Sequence, residues 1–261
     1  MLELIPIIII LAFLFETMDS SAGMGFGTGL TPLLFVMGYE PLQVVPILLI
    51  SEAVTGFTAG IFHQEFENVS FSIKKPINLE TRVMAIIGIF GCIAILFSVI
   101  ITYYTLELPT EIIKTYVALL VLVMGIIGII RLKKRESHYR PNMLLFFSFL
   151  AGLNKGIGAG GYGPVVMMGQ IFSGIYEKTA TAIASFSEGF VSVVGILAFL
   201  FISYQGIAID YMLLPSIFTG GFFAAILSPY LVRVIPNRFW QVVIPIYAIG
   251  MAILALSSIY L

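Results

Sequence analysis

Lys155 is where chemistry is expected in this chain. It lies in Asn154-Lys-Gly-Ile-Gly-Ala-Gly-Gly-Tyr-Gly-Pro164, a glycine-rich break between two apolar runs. An ammonium group attracts an anion, and glycines let backbone N–H groups approach a ligand without obstruction from a Cβ. A near-copy without the lysine, Ala22-Gly-Met-Gly-Phe-Gly-Thr-Gly-Leu-Thr-Pro32, lies in the other half of the chain. Thr31-Pro32 and Gly163-Pro164 read as a cap residue followed by proline at the first helical position. A helix starting there leaves its first N–H groups unpaired and presents about half a positive charge, which favours an anion. The residues expected to hold one are Lys155, Asn154, Gly25, Gly27, Thr28, Gly29, Thr31, Gly158, Gly160, Gly161, Tyr162 and Gly163. Close helix packing through small residues is the competing reading. Two breaks in matching positions, each followed by proline, favour the binding site.

Glu52 and Glu188 come next. Each falls about ten residues into a long apolar run, near the bilayer centre if that run crosses a membrane. A carboxylate at that depth is expensive and usually faces a cavity or a partner. The pair is expected to carry a proton or balance charge; the alternative is a structural pairing with Lys155 or a bond to broken backbone. Ser51, Thr55, Ser187 and Ser192 on nearby turns could line the same path. Asp19, with Glu16, ends the first apolar run. If that run stops short, the two acids bind a coupling cation or hold Lys155; if it spans, they are interfacial. Gln170 is a further donor to a substrate oxygen. Gln43 and Trp240 read as interfacial. His63 and His138 fall in polar connectors without metal-site spacing and read as solvated.

These residues need elements to position them, and composition says which kind. The 261 residues are 59% hydrophobic and only 10% charged, with a mean hydropathy of +1.07. A soluble domain carries about 25% charge. The chain is therefore expected to be an all-α integral membrane protein, since its apolar runs are continuous and do not alternate as barrel strands would. The formal net charge of −1 says nothing about nucleic acid, but no basic face of that kind appears, so no nucleic-acid partner is expected. The single cysteine, Cys92, sits in an apolar run and reads as a small core residue. The apolar run at 4–15 has no Lys or Arg before it, so it reads as a retained segment rather than a signal peptide. No nucleophile elbow, zinc-protease motif or nucleotide-binding loop is present, so neither an enzyme nor a cofactor or metal is expected.

Residues 43–62, 83–103, 112–130, 179–203, 211–232 and 239–259 have the length of full spans, near the ~20 residues that cross about 30 Å of hydrocarbon. Two segments remain, 2–37 and 143–173, each an apolar run, a glycine-rich break and a short run. Residues 143–153 would give a helix of about 16 Å, roughly half a membrane. Each segment is either a re-entrant hairpin or one span unwound in the middle, the second option giving eight spans. Charge sorts them, because Lys and Arg favour the cytoplasmic side. Eight spans put Lys114, Lys178, Arg233 and Arg238 opposite the basic connectors. Two hairpins leave only Lys114 outside. Each half then holds a hairpin and three spans, an odd number, so the halves are expected to be inverted repeats. The halves are 1–131 and 143–261, joined by a basic connector at 132–142. Ser51-Glu-Ala-Val-Thr-Gly56 matches Ser187-Glu-Gly-Phe-Val-Ser192 in order with the breaks.

At these residues the chain resembles the TauE/SafE sulfite exporter family of permeases. The repeated break with its following proline carries the likeness, together with Gly56-Phe-Thr-Ala-Gly-Ile-Phe-His-Gln-Glu-Phe-Glu-Asn-Val-Ser-Phe71. The likeness covers nearly the whole chain. It implies export or uptake of sulfur-containing anions such as sulfite or organosulfonates. Read together with the breaks and the two glutamates, the chain is expected to be a secondary transporter with a small anionic substrate, the lipid bilayer and, as coupling ion, protons for partners. An anion channel and a permease for another small carboxylate or oxyanion are the alternatives.

Overall fold

The computed structural model describes residues 4–131 and 139–260. Every regular element among them is helical: α1 Pro6–Ala22, α2 Phe26–Val36, α3 Pro41–Glu65, α4 Leu79–Thr105, α5 Thr110–Arg131, α6 Pro141–Gly158, α7 Tyr162–Phe172, α8 Glu177–Tyr204, α9 Leu214–Val234 and α10 Asn237–Tyr260. The central part of the basic connector, with Lys133, Lys134, Arg135 and His138, lies outside the described residues, as does the side chain of Trp240. Helices α3, α4, α5, α8 and α9 are long and apolar enough to cross a membrane. With 24 residues, α10 reaches about 36 Å at 1.5 Å per residue. The protein is an all-α, multi-pass membrane protein. Large apolar side chains such as Phe97, Leu200, Phe223 and Ile246 point outward, as a hydrocarbon solvent allows.

The helices pack in a pattern that repeats. α1 lies mainly along α9, and α6 along α4. α3 crosses α8, α5 runs beside α10, α3 also packs on α9, and α4 on α8. Exchanging α1–α5 for α6–α10 maps this set of partners onto itself. Hydrogen bonds fix the ends. The Gln43 amide at the start of α3 donates to Asp210, after the end of α8, at 2.9 Å. Lys114 at the start of α5 pairs with Glu40 at 3.3 Å, and Thr115 meets the Tyr260 hydroxyl at the end of α10 at 2.8 Å. So α3 and α5 begin where α8 and α10 finish. The Gln43 amide, with the Met212 N–H second, holds the Asp210 carboxyl below the usual carboxylate range. That tie is present at neutral pH and is lost as pH falls through the lowered value.

Two helical hairpins stand apart from the long helices. α6 and α7 are joined by three residues, and Ser173 Oγ after α7 donates to Arg140 O before α6 at 2.9 Å, so the pair opens at one end. α1 and α2 form the other hairpin, whose open end lies at the Asp210 end: the Ile5 N–H donates to Ser216 Oγ at the start of α9 at 2.8 Å, and Lys114 sits 5.6 Å over the Phe35 ring.

The first helix of the second hairpin is longer than expected. α6 has 18 residues, about 27 Å, not the ~16 Å of 143–153 alone. It runs on through Asn154, Lys155 and Gly156 because packing overrides glycine's weak helix propensity. A Cβ at Gly156 would lie 2.7 Å from Ser98 Cβ, and one at Gly152 2.8 Å from Ala94 Cβ, so α6 lies close against α4. Ser98 Oγ and Tyr103 OH of α4 then donate to Leu153 O and Ile157 O, each at 2.6 Å. The helix starts also differ. The cap of α7 is Gly161, at φ 78° in the left-handed region, and Pro164 is the third helical residue. α2 begins at Phe26, not Thr31, with a wide π-helical turn over Phe26–Leu30. Pro32 follows inside the helix, where it supplies no N–H.

Candidate functional site

The site begins where α3 crosses α8. A Cβ at Gly56 would lie 2.7 Å from Ser185 O and 2.8 Å from the Gly189 N, so only glycine permits this approach. The contact sits one turn beyond Glu52 and next to Glu188, and it brings both carboxylates inward. We expect Gly56→Ala to push the helices apart at a cost of about 1–3 kcal/mol, the range for overpacking. Thermal unfolding in detergent checks this. Gly88→Ala is the control, because a Cβ there meets nothing within 4 Å. It should be neutral or slightly stabilising, by up to about 1 kcal/mol from helix propensity.

Lys155, in the last turn of α6, reaches this crossing. Its Nζ donates to Glu52 Oε2 and to Glu188 Oε1, each at 2.6 Å. The lysine is fully buried, with its Nζ 4.7 Å from the centre of the Tyr162 ring. Of the readings open from sequence, pairing of both glutamates with Lys155 is the one the geometry realises. A lysine buried in this way needs such partners, since a lone ammonium could not stay charged there.

The two hairpin tips meet beside this triad. The α-carbon of Gly27 faces Ala159 O so closely that no Cβ fits, and Gly163 stands in the same relation to Gly23 O. A Cβ at Gly160 would be 3.4 Å from Gly27 O. These glycines let one tip lie on the other. Gly25, Gly29, Gly158 and Gly161 face elsewhere: Gly25 toward the α1 backbone at Asp19, Gly29 toward Phe15 and Tyr247, and Gly158 and Gly161 toward Val117 and Leu120 of α5. Close packing accounts for the missing side chains at those four positions.

Around the tips lies a set of buried polar groups. Asp19 Oδ1 accepts the Phe26 N–H at 3.2 Å, so a carboxylate of the chain itself caps the start of α2. Ser20 Oγ donates to Glu16 at 2.7 Å. Both acids are buried inside the bundle. The start of α7 has no side-chain cap. Asn154 takes a hydrogen bond from Tyr116 OH on Oδ1, while its Nδ2, 3.9 Å from a Cβ built on Gly161, has no partner. Thr31 Oγ1, Ser51 Oγ, Glu52 Oε1, Tyr162 OH and Ser192 Oγ are also buried without partners. Thr28 is buried in α2. Ser187 bonds back to Ile183 O and Ala184 O of its own helix. Gln170 donates to Ala180 O at 3.0 Å and ties α7 to α8, away from the triad. Among the described residues, no cluster of His, Cys, Asp and Glu could hold a metal ion.

Contrary to the expectation from the sequence, His63 does not lie in a polar connector. α3 continues to Glu65, so His63 is helical and fully buried rather than solvated. Its Nε2 donates to Ser20 O at 2.9 Å, and Asn68 Nδ2 donates to Nδ1 at 3.1 Å and contacts Pro229 O at 3.0 Å. A carbonyl cannot donate and an amide NH2 cannot accept, so this is the neutral Nε2–H tautomer. It pins the end of α1 to α3 and α9. The available signal was the absence of Gly or Pro between Gly60 and Asn68, which leaves nothing to stop the helix at Phe62.

The sequence profile of a family described as "Sulfite exporter TauE/SafE" matches residues 8–258. The chain is also similar to the Probable membrane transporter protein YtnM of Bacillus subtilis (strain 168). The two are 26% identical over 240 residues, covering 87% of this chain and 75% of the relative.

Proposed function

Because the chain belongs to the sulfite exporter TauE/SafE family and is a membrane transporter, we propose that it is a proton-coupled secondary transporter whose cargo is a small sulfur oxyanion, sulfite or an organosulfonate. The observation that carries this reading is Lys155, a buried ammonium beside the point where two hairpin tips meet. The uncapped start of α7 and the unpartnered Asn154 Nδ2 supply further donors next to it. Backbone N–H groups at a helix start suit an oxyanion.

Proton coupling follows from charge. Glu16, Asp19, Glu52 and Glu188 share this interior with one lysine. With all four carboxylates ionised, negative charges exceed positive by three. An anion joining them is tolerable only when protons enter too. Anion and proton then bind together, and anion affinity rises as pH falls.

We read α1–α5 and α6–α10 as inverted repeats, divided near the 132–142 connector, with each hairpin entering from its own face. The exchangeable packing partners and the opposed ends of α3 and α8 support this. Alternating access is then a rocking of one repeat against the other. The end bearing Arg140, Lys178 and Arg233 is cytoplasmic by the distribution of positive charge. With Cys92 replaced, a cysteine at Tyr39 should react from outside and one at Tyr176 from inside; reaction of both from outside would instead indicate eight ordinary spans. Function is tested by counterflow of labelled sulfite in proteoliposomes. Saturable counterflow is expected. Flux that rises linearly without counterflow makes the protein a channel, and no sulfur-anion flux overturns the cargo.

A further inference from the structure

The two central glutamates occupy matching places in the sequence but not in the structure. Each gives one oxygen to Lys155 at 2.6 Å. The other oxygen of Glu52, Oε1, is buried with no hydrogen-bond partner. It points to the tip junction, 3.6 Å from the place a Cβ on Gly27 would take, and Ala159 O borders that same place. Ser192 Oγ lies beside the Glu52 carboxyl and is itself unpartnered. Both buried neighbours can accept a hydrogen bond. The Glu188 side chain keeps 8% of its exposure against 2% for Glu52, so only Glu52 is closed off at both oxygens.

We propose that Glu52 is the proton-binding residue of the pair, protonated at Oε1 in this state, while Glu188 is the standing counter-ion of Lys155. An ionised Oε1 that makes no hydrogen bond in this state, with only the Ser192 hydroxyl beside the carboxyl to supply one, carries much of the desolvation penalty of a buried charge in an interior already rich in carboxylates. A proton removes the charge and turns Oε1 into a donor facing the tip. Lys155 and Glu188 then form a neutral pair. The charged and titratable groups around Glu52 are Lys155 from α6, Glu188 from α8, Glu16 and Asp19 from α1, and Tyr162 from α7. On α9, also packed against α3, the charged residue is Arg233, in the last turn and exposed. Glu16 and Asp19 also accept one hydrogen bond each, from Ser20 Oγ and the Phe26 N–H, as Glu52 does from Lys155; what sets Glu52 apart is its second oxygen, Oε1, buried without a partner.

This inference deepens the proton-coupled reading and rests on it, but its test needs no cargo. Infrared spectra of the purified protein at neutral pH, in sodium-free buffer, should show the stretch of a protonated buried carboxyl. The band should vanish in Glu52→Gln, return on Glu52→Asp at a shifted frequency, and persist in Glu16→Gln and Asp19→Asn. Glu52→Gln mimics the protonated form, so it should keep its thermal stability. Loss of the band in Glu16→Gln or Asp19→Asn with retention in Glu52→Gln overturns the assignment. So does its absence from the wild type, or its disappearance when sodium is added, which would make Oε1 a metal-cation ligand. Absent sulfite flux with the band behaving as stated would overturn the cargo alone.

Discussion

Lys155→Ala is expected to weaken anion binding by at least about 100-fold, equivalent to about 2.8 kcal/mol. Among the described residues, the side chain is the only cation buried with the four carboxylates. Its removal also leaves Glu52 and Glu188 facing each other without their common partner. Breaking a buried ion pair by deleting one member costs about 3–5 kcal/mol, so the variant should unfold at a markedly lower temperature in detergent. The two effects are separable. Adding Glu52→Gln and Glu188→Gln removes the stranded charges and should restore much of the stability without restoring anion binding. Wild-type affinity in Lys155→Ala, or in the triple variant, would show that the lysine only holds the bundle together.

Gly163→Ala is expected to be nearly as damaging, for a steric reason. A Cβ at this position runs into Gly23 O and comes within 3.3 Å of Met24 Cα. Both obstacles are backbone, so neither can turn aside as a side chain would. The tips must separate, at an overpacking cost of about 1–3 kcal/mol. Set against the closed arrangement alone, that shifts a two-state equilibrium about 5–150-fold. Sulfite counterflow should fall accordingly while the protein stays folded. Gly250→Ala serves as the control, since its Cβ would meet nothing within 4 Å. Equal flux in the two variants would mean that the tips do not have to stay in contact.

Much of this arrangement is legible in the sequence because hydrocarbon imposes simple rules. Continuous apolar runs near 20 residues mark the spans, and five of the six expected runs fall on helices α3, α4, α5, α8 and α9 that meet those rules, with α10 matching the sixth. Glu52 and Glu188 stand out because charge is rare at that depth. The stopping points of the hairpin helices are not legible. Gly156 and Gly158 look like a break, yet they let α6 pack on α4 and α5, and only Ala159–Gly161 turns the chain. Asp19 capping Phe26 depends on a fold-back that no local pattern announces. His63 was hidden by its polar neighbours Gln64 and Glu65, which read as a connector although the helix runs through them.

An oxyanion and protons are expected to occupy this buried cluster together. Calorimetric titration of sulfite into the purified protein, in two buffers of different ionisation enthalpy, tests it most directly. At a pH where the wild-type carboxyl band is already lost, and with sulfite's own protonation subtracted, saturable binding with net uptake of protons from the buffer is expected. Binding that takes up no proton, or no binding of sulfite at all, would contradict it.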